Sequence, residues 1–144
     1  AQSVDSELDV VTAAVKVPET LSHLHYWTVQ LTREATKEEV LVALATSTRT
    51  AFIRMKDELS ANNAVKELML DLGRPHGDMY EVAIWEDMLK VVGSELYYAY
   101  LVDNQAIVIP ETIDAIRALT GIESDAQKSI KKTNLSLGIT HRFF

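Results

Sequence analysis

The sequence predicts an α+β domain in which a mixed and largely antiparallel sheet carries helices packed on one face. Its 144 residues, 47% of them hydrophobic, are enough for one domain with a buried core, so we expect residues 1–144 to form a single domain. Segments of strand and helix character follow one another in the order β-β-α-β-α-β-β-β-α-α. Hairpins stand beside longer crossover connections in that order, which favours a mixed sheet over a doubly wound parallel one.

Two strands open the predicted order. Residues 8–17 read LDVVTAAVKV and are rich in β-branched side chains, as strands are, and Pro18 is expected to end this strand. The second strand covers residues 23–31, in which more and less apolar side chains alternate. The more apolar set is predicted to face the core and consists of His25, Trp27, Val29 and Leu31.

A helix, a strand and a second helix follow. Thr36 and Glu39 have the spacing of a capping box, which predicts a helix over about 36–46. Residues 50–55 read TAFIRM and predict a short strand. The second helix is predicted to end at Gly73, with a proline just beyond it. The helical spacing of its apolar residues marks it, and these are Val65, Leu68, Met69 and Leu72.

The next part of the chain predicts three strands, over residues 80–85, 88–92 and 95–102. The dipeptide Gly93-Ser94 between the last two strands is suited to a tight hairpin turn. This segment therefore predicts an antiparallel pair.

Two helices are predicted at the C-terminal end. Residues 107–109 are expected to extend the sheet, and Pro110 then opens a helix that ends near Gly121. Ser124 and Gln127 form a second capping box, which predicts a last helix to about residue 135.

Composition excludes several classes of function. Fourteen Lys and Arg against twenty-one Asp and Glu give a net charge of −7, so we expect neither nucleic-acid binding nor attraction to an anionic membrane. No apolar stretch approaches the roughly twenty residues that cross a bilayer, and no signal peptide opens the chain, so a cytoplasmic protein is expected. The five glycines form no phosphate-binding motif. With no cysteine, the chain has no thiolate nucleophile.

Histidines are the obvious chemical candidates. We expect His23 and His25, at the start of a strand, to point to opposite faces, and therefore predict no metal site. By composition alone, a structural or solvated role is the commoner one for such residues. The tyrosines at 97, 98 and 100 are expected to pack within the sheet. Binding of a small phosphorylated ligand stays open as a further hypothesis, and the candidate residues for it are Arg74, His76 and Arg117.

Five segments in register resemble a known family. They are VTAAVKVPETLSHLH at 11–25, DLGRPHGD at 71–78, WED at 85–87, IPETIDAIRAL at 109–119 and SIKKTNLSLGI at 129–139. Together they resemble the archaeal-type glyceraldehyde-3-phosphate dehydrogenases over about residues 8–139. The resemblance is to the C-terminal catalytic, or substrate, domain, without the N-terminal dinucleotide-binding domain, and it implies a mixed sheet covered by helices.

The resemblance also implies site residues. Enzymes of this family oxidise glyceraldehyde 3-phosphate with NAD or NADP and phosphate in glycolysis, using a thiol nucleophile and a histidine base. His23 falls on the position of that base. Asn104 stands where the family has a glutamine near the nicotinamide, and Asp103 stands where it has a histidine. The nucleophilic cysteine has no counterpart in this chain.

We therefore expect an isolated catalytic domain, truncated or engineered, that is inactive alone and binds no cofactor by itself. Polar residues at Glu19 and Ser22, where the family is less polar, suit a domain whose interdomain surface meets water. Two alternatives are an oligomerisation or scaffold module, which would form a homodimer, and one half of a split enzyme, whose partner would be a separate nucleotide-binding half.

Overall fold

The computed structural model describes residues 5–17 and 22–143. Three short 3₁₀ turns, at 55–57, 75–77 and 86–88, connect longer elements. The strands are β1 (His23–Gln30), β2 (Thr50–Ile53), β3 (Val82–Trp85), β4 (Lys90–Val92) and β5 (Glu95–Val102). The helices are α1 (Lys37–Ala45), α2 (Asn62–Asp71), α3 (Val108–Thr120) and α4 (Ala126–Leu137).

The strands form one mixed sheet in the order β1-β5-β3-β2, and β4 pairs with the start of β5 on the edge opposite β1. β5 is antiparallel to β1, β3 and β4, whereas β2 and β3 run parallel. The predicted α+β class and the largely antiparallel sheet are therefore confirmed. β1 lies at one end of the strand order and pairs with β5 along its full length.

Two apolar clusters cover the two faces of the sheet. Leu101 and Leu96 are five positions apart in β5 and so face opposite sides. The cluster around Leu101 includes α2, and the one around Leu96 includes α1. The prediction placed helices on one face of the sheet, and the structure places α1 and α2 on opposite faces. The larger cluster contains Ile53, Leu59, Val65, Met69, Met79, Ala83, Trp85, Ala99 and Leu101.

Several helix ends and turns lie where short-range sequence signals predicted them. Thr36 and Glu39 form the expected capping box at the start of α1, with both reciprocal hydrogen bonds present. The Gly93-Ser94 turn joins β4 to β5. Gly93 has a φ of +60°, a backbone angle that residues with a side chain rarely adopt. Gly73, at φ +75°, follows α2 as predicted. Each of these signals depends on residues that are only a few positions apart.

Residues 8–17 correct the prediction of a first strand. They form no regular secondary structure, and the Val11 and Val15 side chains are 95% and 84% exposed. A β-rich sequence becomes a strand only when a neighbouring strand accepts its hydrogen bonds. No described strand pairs with this segment. Pro18, expected to end the strand, lies outside the described residues.

The predicted face of β1 is confirmed in part. Val29 and Leu31 pack against the Leu96 cluster and His25 is half-buried, as expected. Trp27 is exposed, together with Tyr26 on the other face.

Two boundaries near the C-terminus also differ from the prediction. Residues 107–109 enter α3 instead of extending the sheet, because the Ile107 N–H already donates to the Asp103 carbonyl in a turn. The cap of α4 is Asp125 and not Ser124, since the Asp125 carboxylate accepts the Lys128 N–H at 3.1 Å. The Asp125 carboxylate therefore caps α4 in place of the predicted capping box of Ser124 and Gln127.

Candidate active site

The two candidate site residues lie at the same end of the sheet. His23 opens β1 and pairs with Val102, the last residue of β5. Asn104 follows two residues beyond Val102, and both candidate side chains are exposed. The strand register therefore brings together residues that are 81 positions apart in the chain. The imidazole of His23 and the amide of Asn104 are therefore both accessible to solvent near this end of the sheet.

The two histidines of β1 share a face, which corrects the expectation that they point apart. Their ring centroids are 6.1 Å apart and their planes are inclined by 55°. Residues two apart in a strand project to the same side, so the expected divergence was wrong. Among residues 5–17 and 22–143, no group of three His, Asp or Glu is placed to hold a metal ion.

His25 belongs to an aromatic face formed by β1 and β5. Its ring stacks on Tyr100 with centroids 4.8 Å apart and planes within 5°. Tyr98 and Trp27 lie 5.8 Å and 6.3 Å from the Tyr100 ring. Burial lowers the pKa of His25, and the neighbouring His23 lowers it further, whereas burial raises the pKa of Tyr100. His25 is thus a partly buried, packed side chain, whereas His23 on the same strand is exposed.

Asp103 holds the turn that presents Asn104. Its buried carboxylate accepts the Lys66 ammonium at 2.7 Å and the backbone N–H groups of Gln105 and Ala106 at 3.1 and 3.2 Å. These bonds close the connection from β5 to α3. At the position where the resembled family has a histidine, this chain therefore has a structural carboxylate.

Arg74 is not a solvated cation. Its two Nη atoms donate to the Glu81 carboxylate at 2.6 and 2.7 Å, and Nη2 also donates to the Gly138 carbonyl at 2.8 Å. Glu81 is 0% exposed and accepts the Thr140 N–H. This bidentate pair engages the guanidinium fully. Arg74 is thus not available to bind the phosphate group of a ligand.

Arg117 is engaged as well, in a polar network between α3 and α4. It donates to the Thr133 hydroxyl and the Ser129 carbonyl, and forms an ion pair with Asp114 at 3.3 Å. Asp114 also accepts Arg49 Nη2 at 2.5 Å. Burial by itself raises the pKa of Asp114, but hydrogen bonds from Ser129, Thr133 and Arg49 outweigh it and hold that pKa below its usual value. His76 lies apart from this network, exposed in the 75–77 turn.

Sequence reasoning missed the stack of His25 on Tyr100 and the partner of Arg74. The first could have been found by aligning the alternating patterns of β1 and β5, which pair residue 25 with residue 100. The second had no local signal, since Glu81 is seven positions from Arg74 and precedes a different element. Pairing between residues of different elements is decided by packing.

The geometry defines a class of protein domain: a mixed sheet of α+β type with an exposed histidine where β1 begins and an exposed asparagine just after β5 ends. No protein-family model matches the chain. Curated relatives do match it. Over 137 residues it is 41% identical to the glyceraldehyde-3-phosphate dehydrogenase of Metallosphaera sedula. The match covers 95% of this chain and 40% of that protein.

Two further relatives have the same name. The glyceraldehyde-3-phosphate dehydrogenase of Methanobrevibacter smithii is 40% identical over 138 residues, and that of Methanococcoides burtonii is 41% identical over 138 residues. Each match covers 96% of this chain and 41% of the relative. The chain is therefore homologous to archaeal-type glyceraldehyde-3-phosphate dehydrogenases, and it spans about two fifths of the length of the relatives it matches. Among the described residues, no helix is long and apolar enough to cross a membrane.

Proposed function

We propose that this chain is the catalytic, or substrate, domain of a glyceraldehyde-3-phosphate dehydrogenase of archaeal type, a cytoplasmic enzyme of glycolysis. The observation that carries the proposal is the 41% identity to the Metallosphaera sedula enzyme over 95% of the chain. The mixed sheet is the fold that the resemblance implies. The placement of His23 and Asn104 at one strand end adds support, because a base and a cofactor contact must lie close together to serve one substrate.

His23 is the proposed general base. A base must reach the proton it accepts, and its side chain must be accessible to the substrate. His23 is exposed at the start of β1, while its neighbour His25 is packed on Tyr100. In this proposal His23, and not His25, accepts the reacting proton.

Asn104 is the proposed contact to the nicotinamide of NAD or NADP. When bound, that cofactor accepts the hydride of the aldehyde oxidation. The fit of this chain to the cofactor is partial. The exposed Asn104 amide can donate to and accept from the nicotinamide carboxamide, and Asp103 fixes the turn that carries it. None of the five glycines forms a phosphate-binding motif, so the dinucleotide would be held by a separate domain.

The chain alone is proposed to be inactive. With no cysteine in its sequence, it cannot form an acyl-enzyme through a thiolate, and loss of a nucleophile removes several orders of magnitude in rate. A partner that supplies the nucleotide-binding half and the cysteine would complete the site. His23 would then act on a nucleophile presented from the other half.

The test is aldehyde-dependent reduction of NADP, measured with the purified chain and with the chain mixed with the N-terminal half of a relative. We expect no turnover from the chain alone and turnover from the mixture. His23→Asn should abolish the restored turnover, whereas His76→Asn, at another exposed histidine, should leave it unchanged. Turnover by the chain alone, or equal loss in both variants, would contradict the proposal.

An assembly module is the second candidate function, and the exposed aromatic side chains of β1 favour it. Trp27 and Tyr26 are 41% and 69% exposed, and aromatic residues are enriched at protein interfaces. Trp85 does not belong to such a surface, because it is buried in the core and donates its indole N–H to the Leu59 carbonyl at 2.6 Å. Sedimentation velocity over a range of protein concentrations distinguishes this function, since a strict monomer would exclude it.

A further inference from the structure

Residues 8–17, named here the donor segment, combine a strand-like sequence with an exposed position. The odd-numbered residues of the segment place Val11, Ala13, Val15 and Val17 on one side of an extended chain. Val11 and Val15 are almost fully exposed. Exposed β-branched residues in succession are unfavourable in water unless another strand covers them.

The outer edge of β1 has the complementary character. β1 is eight residues long, pairs with β5 on one side, and is the last strand in the order of the described sheet. Its sequence, HLHYWTVQ, contains no Lys, Asp, Glu, Arg, Pro or Gly. Proteins usually protect an edge strand with such charges, prolines, bulges or short length. β1 therefore lacks the features that keep other strands from adding to a sheet.

We propose that two copies of this chain exchange donor segments, so that residues 8–17 of each copy add as a strand to the outer edge of β1 in the other. Such an exchange is symmetric, because each copy gives one strand and accepts one. It is a form of strand addition, in which backbone hydrogen bonds supply affinity and alternating side chains supply fit. The proposal goes beyond the enzymatic function and uses neither His23 nor Asn104 as a reactive group.

Size and charge support a second copy as the occupant. The donor segment has ten residues and β1 has eight, so each copy contributes 18 residues, just under the about 20–30 residues a side of a stable interface. The donor segment contains one acidic and one basic residue, Asp9 and Lys16, and β1 contains no formally charged residue. This surface is therefore neutral in a chain of net charge −7, and two copies can meet there without like-charge repulsion.

Sedimentation velocity of the whole chain is the first test, and we expect a concentration-dependent dimer. Val11→Lys/Val15→Lys should raise the dimer dissociation constant at least about tenfold, because each lysine would be placed in the paired strand. The matched control is Leu119→Lys/Leu135→Lys, which makes the same change at leucines that are 87% and 83% exposed on α3 and α4, and it should leave the dimer intact. A strict monomer, or a dimer insensitive to the donor variant, would overturn the proposal.

Cross-linking then distinguishes exchange from pairing within one chain. Because the chain contains no cysteine, Ala13→Cys/Thr28→Cys introduces the sole two thiols, and a short bismaleimide reports which chains they join. Exchange predicts covalent dimers on a denaturing gel at protein concentrations where the dimer forms. Cross-linked monomers alone would show that the segment pairs with β1 of its own chain and would overturn the proposal. Neither experiment measures turnover, so a negative result leaves the enzymatic proposal to its own test.

Discussion

Two regions of the molecule differ in how far their side chains are covered: the polar core around Arg74 and Glu81, and the segment formed by residues 8–17 and 22–31. In the former, Arg74 and Glu81 form a buried, bidentate pair that also binds the backbone near Gly138 and Thr140. In the latter, Tyr26 and Val11 are 69% and 95% exposed. The closed region has its partners within the described chain, whereas the open region presents surface that another domain or copy can cover. His23 of the proposed site lies in the open region, and Asn104 follows β5, the strand that pairs with β1.

The largest effect should follow from removing one partner of the buried pair. Glu81→Ala leaves Arg74 charged and enclosed, and loss of one partner from such a pair costs about 3–5 kcal/mol of unfolding free energy. Urea unfolding followed by circular dichroism measures it. The control Arg74→Met/Glu81→Leu removes both charges and should recover most of the loss. A Glu81→Ala variant within about 1 kcal/mol of the parent would show that the pair is not what closes this region.

A smaller effect is expected in the network between α3 and α4. Asp114→Asn keeps the shape but loses a carboxylate that accepts bonds from Arg49, Ser129 and Thr133, and hydrogen bonds to charged groups contribute about 1.5–3 kcal/mol. The pKa of Asp114 is lower in the folded chain than its ordinary value. Its stabilisation is therefore complete above the ordinary aspartate pKa and is lost as the pH falls through the lower, folded value.

Unfolding free energies measured across that acid range check the Asp114 prediction. The parent chain should lose stability faster than Asp114→Asn as the pH is lowered, so the difference between them should shrink. Equal slopes would mean that this carboxylate does not titrate below its ordinary range.

The stack beneath the proposed site should contribute less. Tyr100→Leu keeps an apolar side chain but removes the ring that faces His25 at 4.8 Å, and such aromatic pairs contribute about 0.5–1.5 kcal/mol beyond burial. Burial, and then the charge of His23, lower the pKa of His25, so exposing this ring should raise it toward the ordinary value. Histidine resonances followed by NMR against pH measure that change. An unchanged His25 pKa would show that Tyr100 does not bury the ring.

The smallest effect is expected in the donor segment, at concentrations where the chain is monomeric. Val11→Thr/Val15→Thr should change the unfolding free energy by less than about 0.5 kcal/mol, because both side chains are already in water. The matched change at a buried site, Val65→Thr in α2, should cost about 1–3 kcal/mol by placing a hydroxyl in the core. Similar costs at the two sites would remove the contrast between the open and closed regions.

Short-range signals explain what could be predicted of the fold. The capping box of Thr36 and Glu39, the Gly93-Ser94 turn and the end of α2 at Gly73 each depend on residues a few positions apart. The donor segment was predicted incorrectly because strand propensity does not specify a partner strand. His23 and Asn104 were identified by resemblance, and their role remains a prediction. Their placement at one end of the sheet is what the structure adds.

The sequence by itself determined the α+β class, most of the element order, the absence of a thiolate in this chain and the homology to archaeal-type glyceraldehyde-3-phosphate dehydrogenases. Tertiary structure decided which residues meet: His25 with Tyr100, Arg74 with Glu81, and Asp103 with Lys66. The physical reason is range. Periodicity, caps and turns act over a few residues, whereas strand register and buried ion pairs join distant residues and are fixed when the core packs.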